Sequence, residues 1–328
     1  MLKLKNLFEN FDLAKEALSH WAHDAEGLEE MLAQFRVSSN AIYPFRRGGE
    51  VCFLRLAPVE EKREGNIRGE LEFLSYLNAN GYAAAEPIPA DSGDTLLRLD
   101  TRWGETFACA FKKAPGTRVD RTDMSPAVMR ACGRALGKLH ALSRAYRPQT
   151  RMWSCFDALD WVQARLEAAS APQRVFAALA ELRDRLASIP KTAENFGLVH
   201  YDFEPDNVFY DAGTDSCAAI DFEDAMYHFY ALDIAKTLAA LEEDAPQGRF
   251  EEAREAMLEG YREEAPYTKE AEALLPLMRR YQAVFAYARV VYCMAERPAI
   301  EPDWMKELCK KLEAFREELE LSIIGECR

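Results

Sequence analysis

Residues 198–224 read LVHYDFEPDNVFYDAGTDSCAAIDFED. Two short β-rich runs, Val208-Phe209-Tyr210 and Cys217-Ala218-Ala219-Ile220, flank the stretch Asp211-Ala212-Gly213-Thr214-Asp215-Ser216. Its Asp, Gly, Thr and Ser are turn formers, so the pattern predicts a hairpin. Folded symmetrically about Thr214, that hairpin sets Asn207 opposite Asp221 at its open end, where cross-strand Cβ atoms lie about 5 Å apart. An amide oxygen and a carboxylate at that spacing can share a hard cation. Mg²⁺ takes oxygen ligands at about 2.1 Å and leaves positions for substrate phosphates. Asp202 enters the same end, available as a base and not needed as a ligand. Asx residues also favour turns and hairpin ends for structural reasons alone. That reading must explain His200, Asp202, Asn207 and Asp221 together, beside strands that look buried.

Upstream of this segment the chain changes character. Ala41–Phe45 and Val51–Leu56 read as strands joined by a turn at Arg46-Arg47-Gly48-Gly49. Residues 64–79 form an amphipathic helix with Ile67, Leu71, Leu74 and Leu77 on one stripe. Strands follow at Thr95–Leu99 and Thr106–Phe111, and Lys112-Lys113-Ala114-Pro115-Gly116 breaks the pattern. The first 35 residues look helical, with Phe8, Phe11, Leu13, Leu18 and Trp21 at helical spacing.

Beyond the break most of the chain is helical. Ser125-Pro126 is a helix start, and helical patterns recur at 231–243, 251–264, 269–295 and 303–322. The order is a helical segment (1–35), a small β-rich lobe (36–113) and a large α-rich lobe (114–328) holding one short hairpin. The expected class is α+β.

Composition narrows the function. The 328 residues carry 55 acids against 41 bases, a formal charge of −14. Such a surface repels phosphate backbones, which argues against a nucleic-acid partner. The eight cysteines include no CxxC pair, so free thiols in a reducing cytosol are expected rather than a structural zinc. No apolar leader is visible, and the longest apolar stretch, Ala283–Ala295, is short and holds Arg289. A cytoplasmic protein with no membrane partner is the expectation.

His200-x-Asp202-x-x-x-x-Asn207, a short hairpin and then Ile220-Asp221-Phe222 resembles the aminoglycoside phosphotransferase and choline kinase family, of protein-kinase-like fold. The resemblance extends over about residues 36 to 295. It implies a bilobal architecture with Asp202 as the catalytic base, Asn207 and Asp221 as Mg²⁺ ligands, and His200 orienting the loop. Asp233 resembles the family aspartate that anchors the catalytic loop, while a helix N-cap is the structural alternative. The family usually has Gly after the His and His-Pro-Gly before the Asn. Here Tyr201 and Glu204-Pro205-Asp206 stand there, and Glu204 adds negative charge near the phosphates.

In the small lobe, Arg55 stands where kinases place the lysine that pairs with the α/β-phosphates. Glu70 falls on the apolar stripe of its helix, where a partner reaching in from Arg55 would explain it. Arg for Lys keeps the charge and changes the geometry, and Lys62 is the fallback. No GxGxxG appears. The equivalent turn is Arg36–Asn40, with Ser39 at its tip, and Ala108–Lys112, including Phe111, is the expected hinge for adenine. Trp153, Phe156, Trp161, Tyr227, Phe229 and Tyr230 are candidates for an aromatic cage around a cationic acceptor. Asp157, Asp160, Glu223 and Asp224 are candidate ammonium partners.

The expected activity is transfer of the γ-phosphoryl group of ATP (or GTP), with Mg²⁺, to a hydroxyl of an amino alcohol, amino sugar or similar metabolite. The alternatives are a catalytically silent nucleotide-binding module and a metal-dependent hydrolase, the latter disfavoured by only five histidines.

Overall fold

The computed structural model describes residues 1–325, so Cys327 lies outside the described residues. The N-terminal part is a six-stranded antiparallel sheet. Its strands are β1 (Arg36–Val37), β2 (Ala41–Arg47), β3 (Glu50–Pro58), β4 (Pro87–Ile88), β5 (Leu97–Thr101) and β6 (Gly104–Lys112), in the order β1-β2-β3-β6-β4 with β5 also paired to β6. Side chains alternate across it. Leu54, Leu56, Ala108 and Ala110 face a cover made by α1 (Phe11–Leu18) and α2 (Leu28–Leu32), with Trp21 and Leu18 packed between. Phe107, Cys109 and Phe111 face the opposite way, toward Ile67, Leu71 and Leu74 of α3 (Glu64–Ala79). The helical first segment is thus the outer layer of the small sheet.

The C-terminal part begins with β7 (Thr117–Arg118) and is mainly helical: α4 (Pro126–Ala145), α5 (Cys155–Ala168), α6 (Gln173–Ser188), α7 (Ala231–Asp244), α8 (Phe250–Glu264), α9 (Lys269–Met294) and α10 (Asp303–Gly325). Two small sheets sit among these helices. One is β10-β9-β7, with β9 (Val208–Asp211) and β10 (Ser216–Ala219) forming the expected hairpin. The other pairs β8 (Phe196–Val199) with β11 (Met226–Phe229). β7, β8 and β11 were not legible beforehand, because these short runs lack the turn-forming stretch between two β-rich runs that marks β9 and β10.

The link between the two parts passes close against the hairpin. Gly116 has φ +93, and a Cβ there would stand 2.5 Å from the Tyr210 carbonyl oxygen. No side chain fits that passage. Further contact between the parts comes from Ala84, bridged to Ala219, and from the Ala85 N–H donated to the Ala219 carbonyl at 3.1 Å. No helix among the described residues is long and apolar enough to cross a membrane.

Candidate active site

The hairpin forms, but its register is one residue off the symmetric expectation. Ser216 pairs with Asp211 and Ala219 with Val208, so the residue facing Asn207 is Ile220, whose N–H donates to the Asn207 carbonyl at 3.0 Å. Asp221 therefore lies one step beyond the last rung. A left-handed backbone at Asp221 (φ 64) turns the chain there, and Asp202, Asn207 and Asp221 line one cleft of about 480 Å³.

The loop bearing Asp202 is held from beneath. Asp233, in the first turn of α7 and fully buried, accepts the N–H groups of His200 at 2.8 Å and Tyr201 at 2.7 Å and bonds to His140 Nε2 at 3.0 Å. Burial alone would raise its carboxyl, but the His140 hydrogen bond, the neighbouring His140 and His200, and the His200 amide keep it below the usual carboxylate range. Asp233 is the loop anchor and not a helix cap. His200 is fully buried. Its Nε2 lies 2.9 Å from the Ile220 carbonyl, and Nδ1 accepts the Asp202 N–H at 3.2 Å. Burial lowers its pKa, which keeps the ring neutral and suits a donor on one nitrogen and an acceptor on the other. It ties the Asp202 loop to the hairpin exit.

Tyr201 occupies a left-handed conformation, φ +74, that costs a non-glycine residue about 1 kcal/mol or more. Its buried ring packs edge-on against Phe285 of α9, 5.4 Å between centroids. The Asn207 amide donates to the Asp202 carbonyl at 3.0 Å and to Asp202 Oδ2 at 3.2 Å. With the amide nitrogen so committed, the Asn207 Oδ1 is the atom left to receive a cation. Asp221 makes no hydrogen bond or ion pair among the described residues. Although its side chain opens to the cleft, loss of water to the surrounding protein first, and then nearby Glu223, push its carboxyl up to about 7. An amide oxygen and an unsatisfied carboxylate on one wall fit a divalent cation whose other positions go to phosphate oxygens. No group of three or more His, Cys, Asp or Glu side chains able to hold a metal exists among the described residues.

The opposite wall is built by the small sheet. Arg55 and Glu70 are joined by a buried two-pronged pair, 2.8 and 2.7 Å, and both line the cleft. The Arg55 guanidinium lies 4.9 Å from the centre of the Phe111 ring. Lys62 is not a substitute for Arg55: it pairs with Glu223 and donates to the Ser39 carbonyl. Ser39 lies in the turn between β1 and β2 and lines the cleft, its hydroxyl receiving a hydrogen bond from Arg289. The expected hinge needs moving. Ala108–Phe111 are paired within β6, on both sides over most of their length, so their backbone is largely committed to the sheet. The segment that leaves the sheet and lines the cleft is Lys113–Ala114, while Phe111 and Lys112 line it from the end of β6.

The aromatic cage does not exist as such. Phe229 and Tyr230 are buried in the core, Phe156 stacks under Lys191, and only Trp153 and Trp161 approach each other, at 6.4 Å. Those rings already face cations, Arg63 over Trp153 and Arg165 over Trp161. Of the four candidate acids, Asp157 caps α5 and Asp160 pairs with Arg183. Glu223 and Asp224 are engaged by Lys62 and Arg289. Sequence reasoning also missed Lys236, whose Nζ lies 2.6 Å from Glu204 and 3.5 Å from Asp202. The available signal was its spacing of three from Asp233 on one helix face.

Residues 37–273 match the phosphotransferase enzyme family. The chain belongs to that family. It is similar to amicoumacin kinase of Bacillus subtilis, 25% identical over 71% of this chain and 68% of the relative. It is also similar to homoserine kinase of Caulobacter vibrioides, 30% identical over 76% of this chain and 79% of the relative. Among solved structures it shares its fold with amicoumacin kinase in complex with AMP-PNP, Ca²⁺ and Ami, with TM-score 0.76, 21% identity, and 95% and 93% of the two chains covered. The microcompartment-associated aminopropanol kinase aligns with TM-score 0.71 at 19% identity, covering 95% and 96%. This phosphotransferase-family chain therefore has the protein-kinase-like α+β fold expected of it, and it is an enzyme of the small-molecule kinase kind.

Proposed function

We propose that this phosphotransferase moves the γ-phosphoryl group of ATP or GTP to a hydroxyl of a small polar metabolite. The observation that carries the reading is the convergence of Asp202, Asn207 and Asp221 on one side of a cleft whose other side presents the Arg55–Glu70 pair. Residues 36–113 would hold the nucleotide, with Arg55 at the α/β-phosphates and the Ser39 turn over them. Residues 114–328 would carry the chemistry and the acceptor. Asn207 and Asp221 would hold Mg²⁺, which supplies neutralisation of charge on the phosphates.

The acceptor hydroxyl donates to Asp202. Its oxygen bonds to the γ-phosphorus as the bond to the β-phosphate oxygen breaks, the proton passes to the Asp202 carboxylate, and the nucleoside diphosphate leaves. His200 and Asp233 act by fixing the loop, so the reacting atoms meet without a search. The curated relatives are named for homoserine and for amicoumacin, which makes a hydroxyl-bearing amine the first acceptor class to screen.

The test couples two readings. Thermal unfolding with MgATP or MgGTP should rise by several degrees, as about 2.7 kcal/mol is added at a hundredfold excess over Kd. Asp221→Ala should lose the rise. ADP release with L-homoserine and other amino alcohols then identifies the acceptor. A nucleotide shift without turnover on any acceptor would point to the silent binding module, and no nucleotide shift at all sinks the kinase reading.

A further inference from the structure

Asp233 and Lys236 sit three residues apart on α7 and so share the face that meets the catalytic loop. Asp233 takes the backbone of His200 and Tyr201, while Lys236 reaches the side chains that follow. Its Nζ is 2.6 Å from Glu204 Oε1, 3.5 Å from Asp202 Oδ1 and 5.9 Å from the centre of the Tyr201 ring. The three charged side chains are each 25–30% exposed, which leaves them within reach of a substrate. Burial by itself would pull the Lys236 ammonium down, but Tyr201, Asp202 and Glu204 outweigh it and push it up. The ammonium is held charged.

Of the cations that line the cleft, Arg55 is paired with Glu70, Lys112 with Glu86 and Arg118 with Asp120, while Arg36 and Lys113 stand on the small-sheet side of it. Beside the cleft, Lys62 is paired with Glu223 and Arg289 with Asp224. Among the described residues Lys236 is the cation paired with Asp202. We propose that Lys236 contacts the γ-phosphoryl group during transfer, moving from the Asp202 carboxylate to an equatorial phosphoryl oxygen, with Glu204 as the tether that keeps its ammonium in place. The proposal rests on the kinase reading above, and it concerns a residue outside the loop that carries the motif.

Reach and charge both support it. An acceptor hydroxyl sits about 3 Å from Asp202, and the phosphorus about 3 Å further on. A flexible four-carbon side chain anchored 3.5 Å from the same carboxylate spans that distance. Negative charge spreads over the three equatorial oxygens in the transition state, where a positioned cation acts most strongly. Glu204, which alone would repel incoming phosphates, becomes the group that fixes the cation beside them.

The competing role is plain neutralisation of Glu204, and a double variant separates the two. ADP formation is measured from MgATP with water and with L-homoserine as acceptors, together with the nucleotide-dependent rise in unfolding temperature. Lys236→Met should lower kcat by about 100-fold or more, with KM for MgATP within about twofold and the temperature rise retained. Lys236→Arg should recover at least about a tenth of the lost rate, since it restores the charge on a different head. Lys236→Met combined with Glu204→Gln should stay as slow as Lys236→Met. Recovery in that double variant, or a Lys236→Met rate within about threefold of wild type, overturns the proposal. A wild-type protein that neither binds MgATP nor releases ADP overturns the kinase reading itself, and the proposal with it.

Discussion

Tyr201 donates its N–H to Asp233 at 2.7 Å while holding a backbone φ of +74. A fully buried carboxylate, reached from another element, thus stabilises a left-handed turn at the residue immediately before Asp202. The strain places the Asp202 side chain in the cleft, and Asp233 offsets its cost. The geometry runs from one helix position to the orientation of a proposed base.

Replacing Asp233 with Asn tests that dependence. The amide keeps the volume but offers one acceptor where three donors now converge: the amides of His200 and Tyr201, and His140 Nε2. Losing charge-assisted bonds in a buried site costs about 3 kcal/mol. Urea unfolding should report that loss, and ADP formation should fall at least tenfold because the loop is no longer fixed. Wild-type stability in Asp233→Asn would mean the anchor is dispensable.

The Arg55–Glu70 pair predicts a non-additive pattern. Either Arg55→Met or Glu70→Met leaves a buried charge without its partner and should cost about 3–5 kcal/mol of unfolding free energy. The double variant should lose much less, since two apolar side chains then pack where two ions sat. MgATP should fail to raise the unfolding temperature of the double variant. If the double variant binds nucleotide normally, Arg55 has no phosphate role.

Much of this site is legible in the sequence. Glu70 on an apolar stripe announced a buried partner, and Arg55 proved to be it. The helix at 64–79 coincides with α3, because Ile67, Leu71, Leu74 and Leu77 recur at helical spacing over about three turns. The hairpin spacing brought Asp202, Asn207 and Asp221 to one end, and the roles expected of them came from the resemblance to the family. Their exact relation was not legible, since the hairpin turn could close in either of two registers and only packing selects one that leaves Asp221 past the last rung. The aromatic residues misled for a related reason: Phe229 ends, and Tyr230 follows, a strand that the sequence did not reveal, and so their burial had no local signature.

Helix α4 meets α8 through glycines, and the contact should be intolerant of even one methyl group. A Cβ at Gly133 would stand 1.9 Å from the Met257 carbonyl oxygen, and one at Gly260 would stand 2.0 Å from that of Arg130. Both neighbours are backbone and cannot rotate aside. Gly133→Ala and Gly260→Ala should each lose about 3 kcal/mol in denaturant unfolding despite the better helix propensity of Ala. His140 on α4 and Tyr261 on α8 meet at 2.8 Å across the same contact, and His140 also bonds to Asp233. Separating the helices should therefore lower activity as well as stability. Unchanged melting of either variant would show that the helices part freely.

The unsatisfied Asp221 carboxylate makes the ligand-free protein pH-sensitive in a stated direction. The surrounding protein strips water from it, and Glu223 adds repulsion, so its value in the fold is about 7 against an ordinary 3.8. For an acid raised in this way the unfolded chain gives up its proton first. The contribution to stability is intact below about pH 4 and is lost as pH climbs to about 7. Asp221→Asn removes the loss, and Asn tolerates the left-handed backbone at this position. Because the side chain faces the open cleft, the gain at pH 8 should be only about 1 kcal/mol, or 2–4 °C, with no gain at pH 4. A bound divalent cation needs the ionised carboxylate, so MgATP binding at pH 6 should release protons and weaken relative to pH 8. Calorimetry in two buffers of different ionisation heat measures that release. Equal melting gains for Asp221→Asn at both pH values, or binding without proton release at pH 6, would show that Asp221 is ionised throughout and that its charge is already balanced in the empty site.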